Sequence, residues 1–214
     1  MIKVTLLTID DLETLYTFEC ETWPAGARAS KESLTQRFKL HHWIFAAWEN
    51  EIIIGILCWR HGWFDPNNMD TFPINFNDFA NVANDNPFNS AFAYNLSVHP
   101  NYRGLPIAKH LLNTAMIEYH NPNWQYLVGD GRCPSYNGSN SDSEKIEQRL
   151  NFKQVIDGHL QRGIPLNLED YLIDPVLCFY HRLLNCHFTR VIEGFLPTDI
   201  ASGGNRVIFY KKLM

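Results

Sequence analysis

The stretch "SVHPNYRGLPIAKHLL", from Ser97 to Leu112, joins a predicted strand to a predicted helix. The first turn of a helix carries backbone N–H groups without intrahelical acceptors, and the helix dipole is positive there. Arg103 adds a full positive charge, and Gly104 has no Cβ, so an anion can approach the backbone. Pro106 has no N–H, and its fixed φ suits the first helical position. The stretch therefore predicts a phosphate site at a strand-to-helix turn, with the helix beginning at Pro106.

The segments on either side of this turn predict a βαβ unit. "AFAYNLSV", residues 91–98, alternates and places Phe92, Tyr94, Leu96 and Val98 on one face of a strand. Apolar residues then recur at helical spacing until "HNPN" at 120–123, and "WQYLVGD" at 124–130 is the next strand. Strand, helix and strand in this order predict a crossover between two parallel strands, with ligands at their carboxyl ends.

The rest of the chain predicts one mixed α/β domain over residues 1–214. Ser30 caps a helix, two nearly apolar strands flank a turn at Glu49–Glu51, and Asp174-Pro175 starts a late helix that Asn185 ends. We expect a central mixed sheet of six to seven strands flanked by helices, with long loops at about 65–90 and 131–173. The first loop is either functional or a surface excursion held by its Phe side chains.

Composition excludes several classes of protein. Hydrophobic residues make up 45% and charged residues 19% of the 214, which is typical of a globular core. A net charge of −5 argues against nucleic acid as a partner, and no apolar run is long enough for a membrane helix. "MIKVTLLTIDDLETL" lacks the features of a signal peptide, and five scattered Cys predict reduced thiols in the cytoplasm. The nine His show no metal-ligand spacing, so we expect no metal.

The six residues Arg103-Gly104-Leu105-Pro106-Ile107-Ala108, preceded by "LSVHPNY", resemble the cofactor-binding signature of the GNAT acetyltransferase superfamily. That signature reads Arg or Gln, two variable residues, Gly or Ala, one variable residue, then Gly or Ala. The order of the predicted elements is similar to a GNAT fold as well. Pro106 departs from the signature, and its missing N–H removes at most one donor, worth roughly 1–3 kcal/mol.

The resemblance implies an acetyl-CoA cosubstrate and direct attack on the thioester by a primary amine of a small molecule or peptide. The pantetheine arm would pair with the backbone of Leu96, Ser97 and Val98, and the pyrophosphate would bind the amides from Arg103 to Ala108. A homodimer is also compatible with the family. The segments "RCPSYNG" and "LEDYLIDPVL" are similar to a longer GNAT subgroup, some of whose members are joined to carbon–nitrogen hydrolase domains.

Three residues are candidates for the chemistry. Tyr180 falls at the Tyr of the family's "FY" helix and would protonate the departing thiolate; alternatively it is a core residue on an apolar stripe. Asp130 follows a predicted strand and could accept a proton through water, or it is a turn residue in "GDGR". Asn95 could orient water, while Tyr94 and His99 also lie near strand ends. The alternative function is a non-catalytic CoA- or acyl-CoA-binding module, in which Tyr180 is structural.

Overall fold

The computed structural model describes residues 2–132 and 174–213. Their strands form one seven-stranded sheet in the order β1-β2-β3-β4-β5-β7-β6, flanked by helices, which confirms the predicted mixed α/β fold. The pairs β1–β2, β2–β3, β3–β4, β5–β7 and β6–β7 are antiparallel. The elements are β1 Lys3–Leu6, α1 Leu12–Thr22, α2 Lys31–Lys39, β2 Trp43–Glu49, β3 Ile52–Gly62, α3 Phe76–Ala80, β4 Ser90–Val98, α4 Ile107–Glu118, β5 Tyr126–Arg132, α5 Pro175–Leu184, β6 His187–Ile192 and β7 Arg206–Lys212.

Some of the predicted segments lie at the end of the described residues or outside them. Strand β5 extends to Arg132, so the loop predicted from about 131 does not begin before Cys133. The polar loop and short helix predicted for 133–173 lie outside the described residues. No helix within 2–132 or 174–213 is long and apolar enough to cross a bilayer. In the same ranges no three His, Cys, Asp or Glu side chains are grouped as a metal site would require.

Residue contacts divide the chain into two units, Met1–Phe64 with Asn77–Gln125, and Asp65–Phe76 with Tyr126–Met214. In the first unit, local sequence signals act as predicted. The Ser30 hydroxyl accepts a hydrogen bond from the Ser33 amide at 3.2 Å and caps α2. Asn50 and Glu51 have φ values of 48° and 67°, so the turn between β2 and β3 uses the left-handed region.

A buried arginine holds the first unit's part of the long loop. The side chain of Arg60, on β3, is 2% exposed. It donates to the carbonyl oxygens of Phe79 and His61 at 2.7 Å each, and it lies 3.4 Å from the Asp85 carboxylate. The guanidinium also lies 5.0 Å from the ring centroid of Phe92. The segment is therefore held by a charged side chain from the sheet as well as by its own Phe79, whose ring stacks on Phe92 at 5.2 Å.

His42 fixes a second point of this segment. Its Nε2 lies 2.8 Å from the Val82 carbonyl oxygen, and its Nδ1 lies 3.1 Å from the Tyr94 hydroxyl. A carbonyl can only accept, so Nε2 donates to it. In the neutral ring Nδ1 then carries no proton and accepts from the Tyr94 hydroxyl. Burial, opposed by the bond to Val82, lowers the pKa of His42 to about 4.

This histidine predicts a loss of stability in acid. Since the folded protein binds its proton less readily than the unfolded chain, the stabilisation is complete above pH 6.5 and disappears as the pH falls through about 4. We expect the free energy of unfolding to fall by up to about 3 kcal/mol over that range, measured by urea titration. His42→Gln should flatten this slope, whereas the same change at the exposed His120 should leave it unaltered. Equal slopes in all three proteins would contradict the assignment.

In the second unit, the predicted caps of α5 are confirmed. The Asp174 carboxylate accepts from the Val176 and Leu177 amides at 2.9 and 3.2 Å, and Asn185 ends the helix with φ 50°. The sequence spacing predicts an apolar stripe of Val176, Phe179, Tyr180 and Leu183, but this prediction is wrong in phase, because Phe179 is 42% exposed. The helix instead buries Leu177, Cys178 and Leu184.

Candidate functional site

The turn before α4 has the backbone form that the sequence predicts, with one shift. Gly104 has φ +90°, which side chains rarely adopt, and a Cβ there would meet nothing within 4 Å. Helix α4 begins at Ile107, and Pro106 is its N-cap with φ −76°. Pro106 therefore lies one position before its predicted place, because its ψ of 30° has not yet entered the regular helix. Its carbonyl oxygen accepts the first helical bond, from His110 at 2.9 Å.

Among the amides from Arg103 to Ala108, those of Gly104, Ile107 and Ala108 have no acceptor in the described residues. We call these three N–H groups the amide cradle. The amides of Arg103 and Leu105 already make long bonds of 3.4 and 3.3 Å to nearby carbonyls, so the predicted run of donors is interrupted. The Arg103 side chain is exposed beside the cradle. Unsatisfied donors, a helix N-terminus and a guanidinium together can bind a phosphate.

The position of the cradle depends on a close approach between α4 and β3. A Cβ on Gly55 would lie 2.8 Å from Cγ2 of Ile107 and 3.2 Å from Cδ1 of Leu111. Ala108 is buried, as expected of a small residue facing the sheet, but the tight contact itself is at Gly55. The sequence signal for it is a lone glycine inside the apolar strand "EIIIGILC".

Strand β4, which carries the predicted pantetheine-binding residues, is interrupted by a bulge. Leu96, Ser97 and Val98 pair in register with Leu57, Ile56 and Gly55 of β3. The register shifts at the next step, where Cys58 opposes Asn95 but Trp59 opposes Ala93. Tyr94 is the extra residue, so the predicted strict alternation of faces is wrong here.

Because of the bulge, the neighbouring residues Tyr94 and Asn95 both face helices, Tyr94 contacting α2 and Asn95 contacting α1. The Tyr94 ring lies 4.9 Å from the Arg37 guanidinium of α2, while Asn95 bonds Glu19 of α1. Tyr94 is buried and its hydroxyl bonds His42, so it is not available as a base. His99 is a half-buried turn residue, whose Nδ1 accepts from the Asn101 amide and whose Nε2 lies 3.6 Å from the Glu21 carboxylate.

Asn95 is the centre of a directed chain of hydrogen bonds. The Trp23 indole donates to the Ser97 hydroxyl at 3.0 Å, which donates to the Asn95 carbonyl oxygen at 2.5 Å. The Asn95 amide then donates to Glu19 at 2.9 Å. Since the indole can only donate and the carboxylate only accepts, each bond in the chain has one direction. This order fixes which side of the Asn95 amide carries the oxygen.

Glu19 is a buried acid that sequence reasoning missed. It is 1% exposed, and its second oxygen accepts from the Ala29 amide at 3.0 Å. Burial raises the pKa of Glu19, while the Ala29 bond and the charge of Arg37 oppose the rise. The signal in the sequence is an acid beside Leu15 and Phe18 on the buried face of α1.

Tyr180, on α5, has features of both a core residue and a proton donor. Its ring centroid lies 4.6 Å from that of Phe209 on β7. Burial, with the nearby charge of Asp130, raises the pKa of Tyr180, so the phenol stays protonated. No described residue hydrogen-bonds its hydroxyl. The packing suits a core residue, and a protonated hydroxyl without a partner among the described residues suits a proton donor.

Asp130 lies inside strand β5 and not after it, so the turn interpretation of "GDGR" is wrong. Its side chain is 5% exposed and accepts a hydrogen bond from Nε of Arg206, on β7, at 3.1 Å. Burial raises the pKa of Asp130 to about 7, although Arg206 opposes the rise. A carboxyl group with this pKa exchanges its proton near neutral pH.

Comparisons with known proteins identify the family. The family model described as the acetyltransferase (GNAT) family matches residues 9–123. No curated protein is similar enough to count as a match. The narrower resemblance to GNAT domains joined to carbon–nitrogen hydrolases stays a prediction.

Three solved structures illustrate the similarity of fold. The GphF GNAT-like decarboxylase in complex with isobutyryl-CoA is 20% identical over 99% of this chain and 100% of its own, with a TM-score of 0.75. The loading GNATL domain of CurA from Lyngbya majuscula is 15% identical over 99% and 98%, with a TM-score of 0.71. The ribosomal-protein-S18-alanine N-acetyltransferase from Escherichia coli is 13% identical over 100% and 94%, with a TM-score of 0.55. Since the family model covers more than half of the chain, and the signature turn lies inside the matched range, the protein belongs to the GNAT acetyltransferase family.

Proposed function

We propose that the protein is an acetyl-CoA-dependent N-acetyltransferase that acts on a primary amine of a small molecule or peptide. The observation that carries the proposal is the amide cradle at the start of α4, with Arg103 beside it. Three free donors and one cation suit the pyrophosphate of CoA. The backbone of Leu96–Val98 would pair with the pantetheine arm. CoA as the cosubstrate agrees with the family and with the isobutyryl-CoA bound to the GNAT-like decarboxylase.

The proposed chemistry assigns one role to each candidate. Asn95 orients a water molecule, Asp130 accepts the proton that the acceptor's ammonium group loses, and the neutral amine attacks the thioester carbon. The C–N bond forms as the C–S bond breaks, and Tyr180 gives its proton to the departing thiolate. The second amine proton then returns to the Tyr180 phenolate, and Asp130 releases its proton to solvent. The pKa of Asp130 near 7 and the protonated phenol support these assignments.

Incubation with acetyl-CoA and a panel of amines tests the proposal. We expect release of free thiol that depends on both protein and amine, with an acetylated amine of the same amount detected by mass spectrometry. The matched control omits the amine, which separates transfer from hydrolysis of the thioester. Saturable CoA binding in calorimetry with no acetylated product across amines and peptides would overturn the proposal in favour of a non-catalytic CoA-binding module.

A second candidate is decarboxylation of an acyl-CoA. It is favoured by the fit of the whole chain to the GNAT-like decarboxylase, at a TM-score of 0.75 against 0.55 for the alanine N-acetyltransferase. The two reactions have different products. Decarboxylation of malonyl-CoA releases CO₂ and leaves an acetyl thioester, with no free thiol. Production of acetyl-CoA from malonyl-CoA without any amine would therefore favour this second function.

Gly104→Ala tests whether the cradle binds the cofactor. A side chain at φ +90° is strained by about 1–2 kcal/mol, and relaxation of the turn would withdraw an amide from the phosphate. We expect CoA to bind roughly tenfold more weakly in calorimetry. Gly194→Ala is the matched control, since Gly194 has φ +65° and equally open surroundings. It should show similar strain and unchanged CoA affinity, and equal affinities in both variants would remove the cradle from the cofactor site.

A further inference from the structure

Four charged side chains of the second unit form a continuous ion-pair chain: Arg132, Asp199, Arg206 and Asp130. Asp199 lies in the connection between β6 and β7, and its side chain is 2% exposed. It accepts from Nε and Nη2 of Arg132 at 2.8 and 2.6 Å, and its Oδ2 lies 2.7 Å from Nη1 of Arg206. Arg206, 4% exposed, reaches Asp130 through Nε at 3.1 Å.

The Arg206 guanidinium bonds two carboxylates, but the two contacts are unequal. Arg206 is closer to Asp199 than to Asp130, at 2.7 against 3.1 Å. Asp199 also receives a two-bond contact from Arg132, a geometry that holds a carboxylate firmly. Among the described residues, Asp130 therefore has one side-chain hydrogen bond, from a cation that is already shared.

The pKa values of Asp199 and Asp130 shift in opposite directions, as these unequal contacts predict. Burial raises the pKa of Asp199, but the bonds and charges of Arg132 and Arg206 outweigh it, so the pKa is lowered. Asp130 shows the opposite shift, since burial outweighs the pull of Arg206 and the charge of Asp199 adds to the rise. Two neighbouring carboxyl groups pushed apart in this way commonly have different functions.

We propose that Asp199 is a positioning residue for Asp130: it holds Arg206 so that the Asp130 carboxylate is only partly neutralised and can take up a proton. Asp199 does not touch the substrate in this proposal and acts only through Arg206. The inference rests on the proposed role of Asp130 as proton acceptor, and it names the residue that adjusts that role.

The groups that face Asp130 come from each described element around it. Arg206 lies on β7, Asp199 on the connection before it, and Tyr180 on α5, while Arg132 lies two residues further along β5. Tyr180 stays neutral over the range in which Asp130 titrates. Changes in the Asp130 titration should therefore report on the two arginines and on Asp199.

Two variants with opposite expected signs test the proposal. Asp199→Asn removes a negative charge and leaves Arg206 to Asp130, so the Asp130 midpoint should fall by about one pH unit, a tenfold change in proton concentration. Arg132→Gln leaves Asp199 to bind Arg206 more strongly, so the midpoint should rise. The readout is the carboxyl ¹³C titration of Asp130 by NMR, assigned with Asp130→Asn. The matched control is Asp70→Asn, an exposed acid of the same unit, which should not move the midpoint.

The pH profile of kcat/KM separates this inference from the proposed function. The inference and the proposed function both hold if the pKa of the acidic limb falls in Asp199→Asn and rises in Arg132→Gln, in parallel with the NMR midpoint. If the midpoint moves but the limb does not, Asp199 positions Arg206 as proposed and Asp130 is not the proton acceptor. An unmoved midpoint in the folded variants overturns the inference. Should Asp199→Asn fail to fold, Arg132→Gln decides alone, because that side chain is 30% exposed and more tolerant of change.

Discussion

Tyr180→Phe is expected to lower kcat by about 10²–10⁴-fold while CoA affinity stays within about twofold. The phenol is the proposed proton donor, and its raised pKa keeps it in the donating form at neutral pH. Phenylalanine preserves the ring that packs on Phe209 at 4.6 Å. Because no described residue bonds the hydroxyl, its removal leaves none of the described residues without a partner, and stability should change little. Steady-state kinetics, CoA calorimetry and thermal unfolding measure the three quantities.

Tyr119→Phe is the matched control for this experiment. Tyr119 follows α4 and packs its ring on Phe45, with centroids 4.9 Å apart, so it repeats the ring contact of Tyr180 outside the second unit. It should leave kcat unchanged. If Tyr180→Phe also turns over at the wild-type rate, Tyr180 is a core aromatic residue and the thiolate takes its proton from another group.

Arg60→Leu is expected to lower the free energy of unfolding by about 3–5 kcal/mol. The leucine cannot donate to the Phe79 and His61 carbonyls that Arg60 bonds at 2.7 Å, and the Phe79 carbonyl would be left without this buried partner. Asp85 would lose its cation as well. A loss of this size is a large fraction of the stability of an ordinary domain. Urea unfolding measures it, and hydrogen exchange should show faster opening of residues 79–85.

Arg182→Leu provides the comparison for Arg60. Arg182 is exposed on α5, so its replacement by the same residue should change stability by about 0.5 kcal/mol or less. If Arg60→Leu costs no more than this control, the loop is held by its apolar contacts, as the Phe-based interpretation of the sequence predicts.

The sequence predicts well those features that neighbouring residues determine. Ser30 and Asp174 cap helices because their side chains reach amides two or three residues away. Asn185 ends α5 because it tolerates a left-handed backbone. Gly104 and the turn before α4 follow the same logic, with Pro106 shifted by a single position. All of these depend on contacts within one turn of chain.

What the sequence does not predict is the identity of distant partners. Asp130 has an ordinary local pattern, and its pKa is raised because the folded sheet buries it, while Arg206, which β7 brings beside it, opposes the rise. Arg60 in an apolar strand indicates a buried cation, but one of its acceptors, the Phe79 carbonyl of α3, lies nineteen residues away in the chain. The bulge at Tyr94 was also unpredictable from alternation, because the extra residue is defined only by its pairing with β3.

The contact between Gly55 and Ile107 has a consequence for how sequences of this family can diverge. The depth at which α4 sits on the sheet is fixed by the missing side chain at position 55, more than fifty residues before the helix. A methyl group there would push the helix outward unless position 107 became smaller, and a displaced helix would carry the amide cradle with it. Mutational drift at these two positions is therefore constrained jointly. In homologues we expect a larger residue at one of them to be accompanied by a smaller residue at the other. The two positions together would then set where the amide cradle lies.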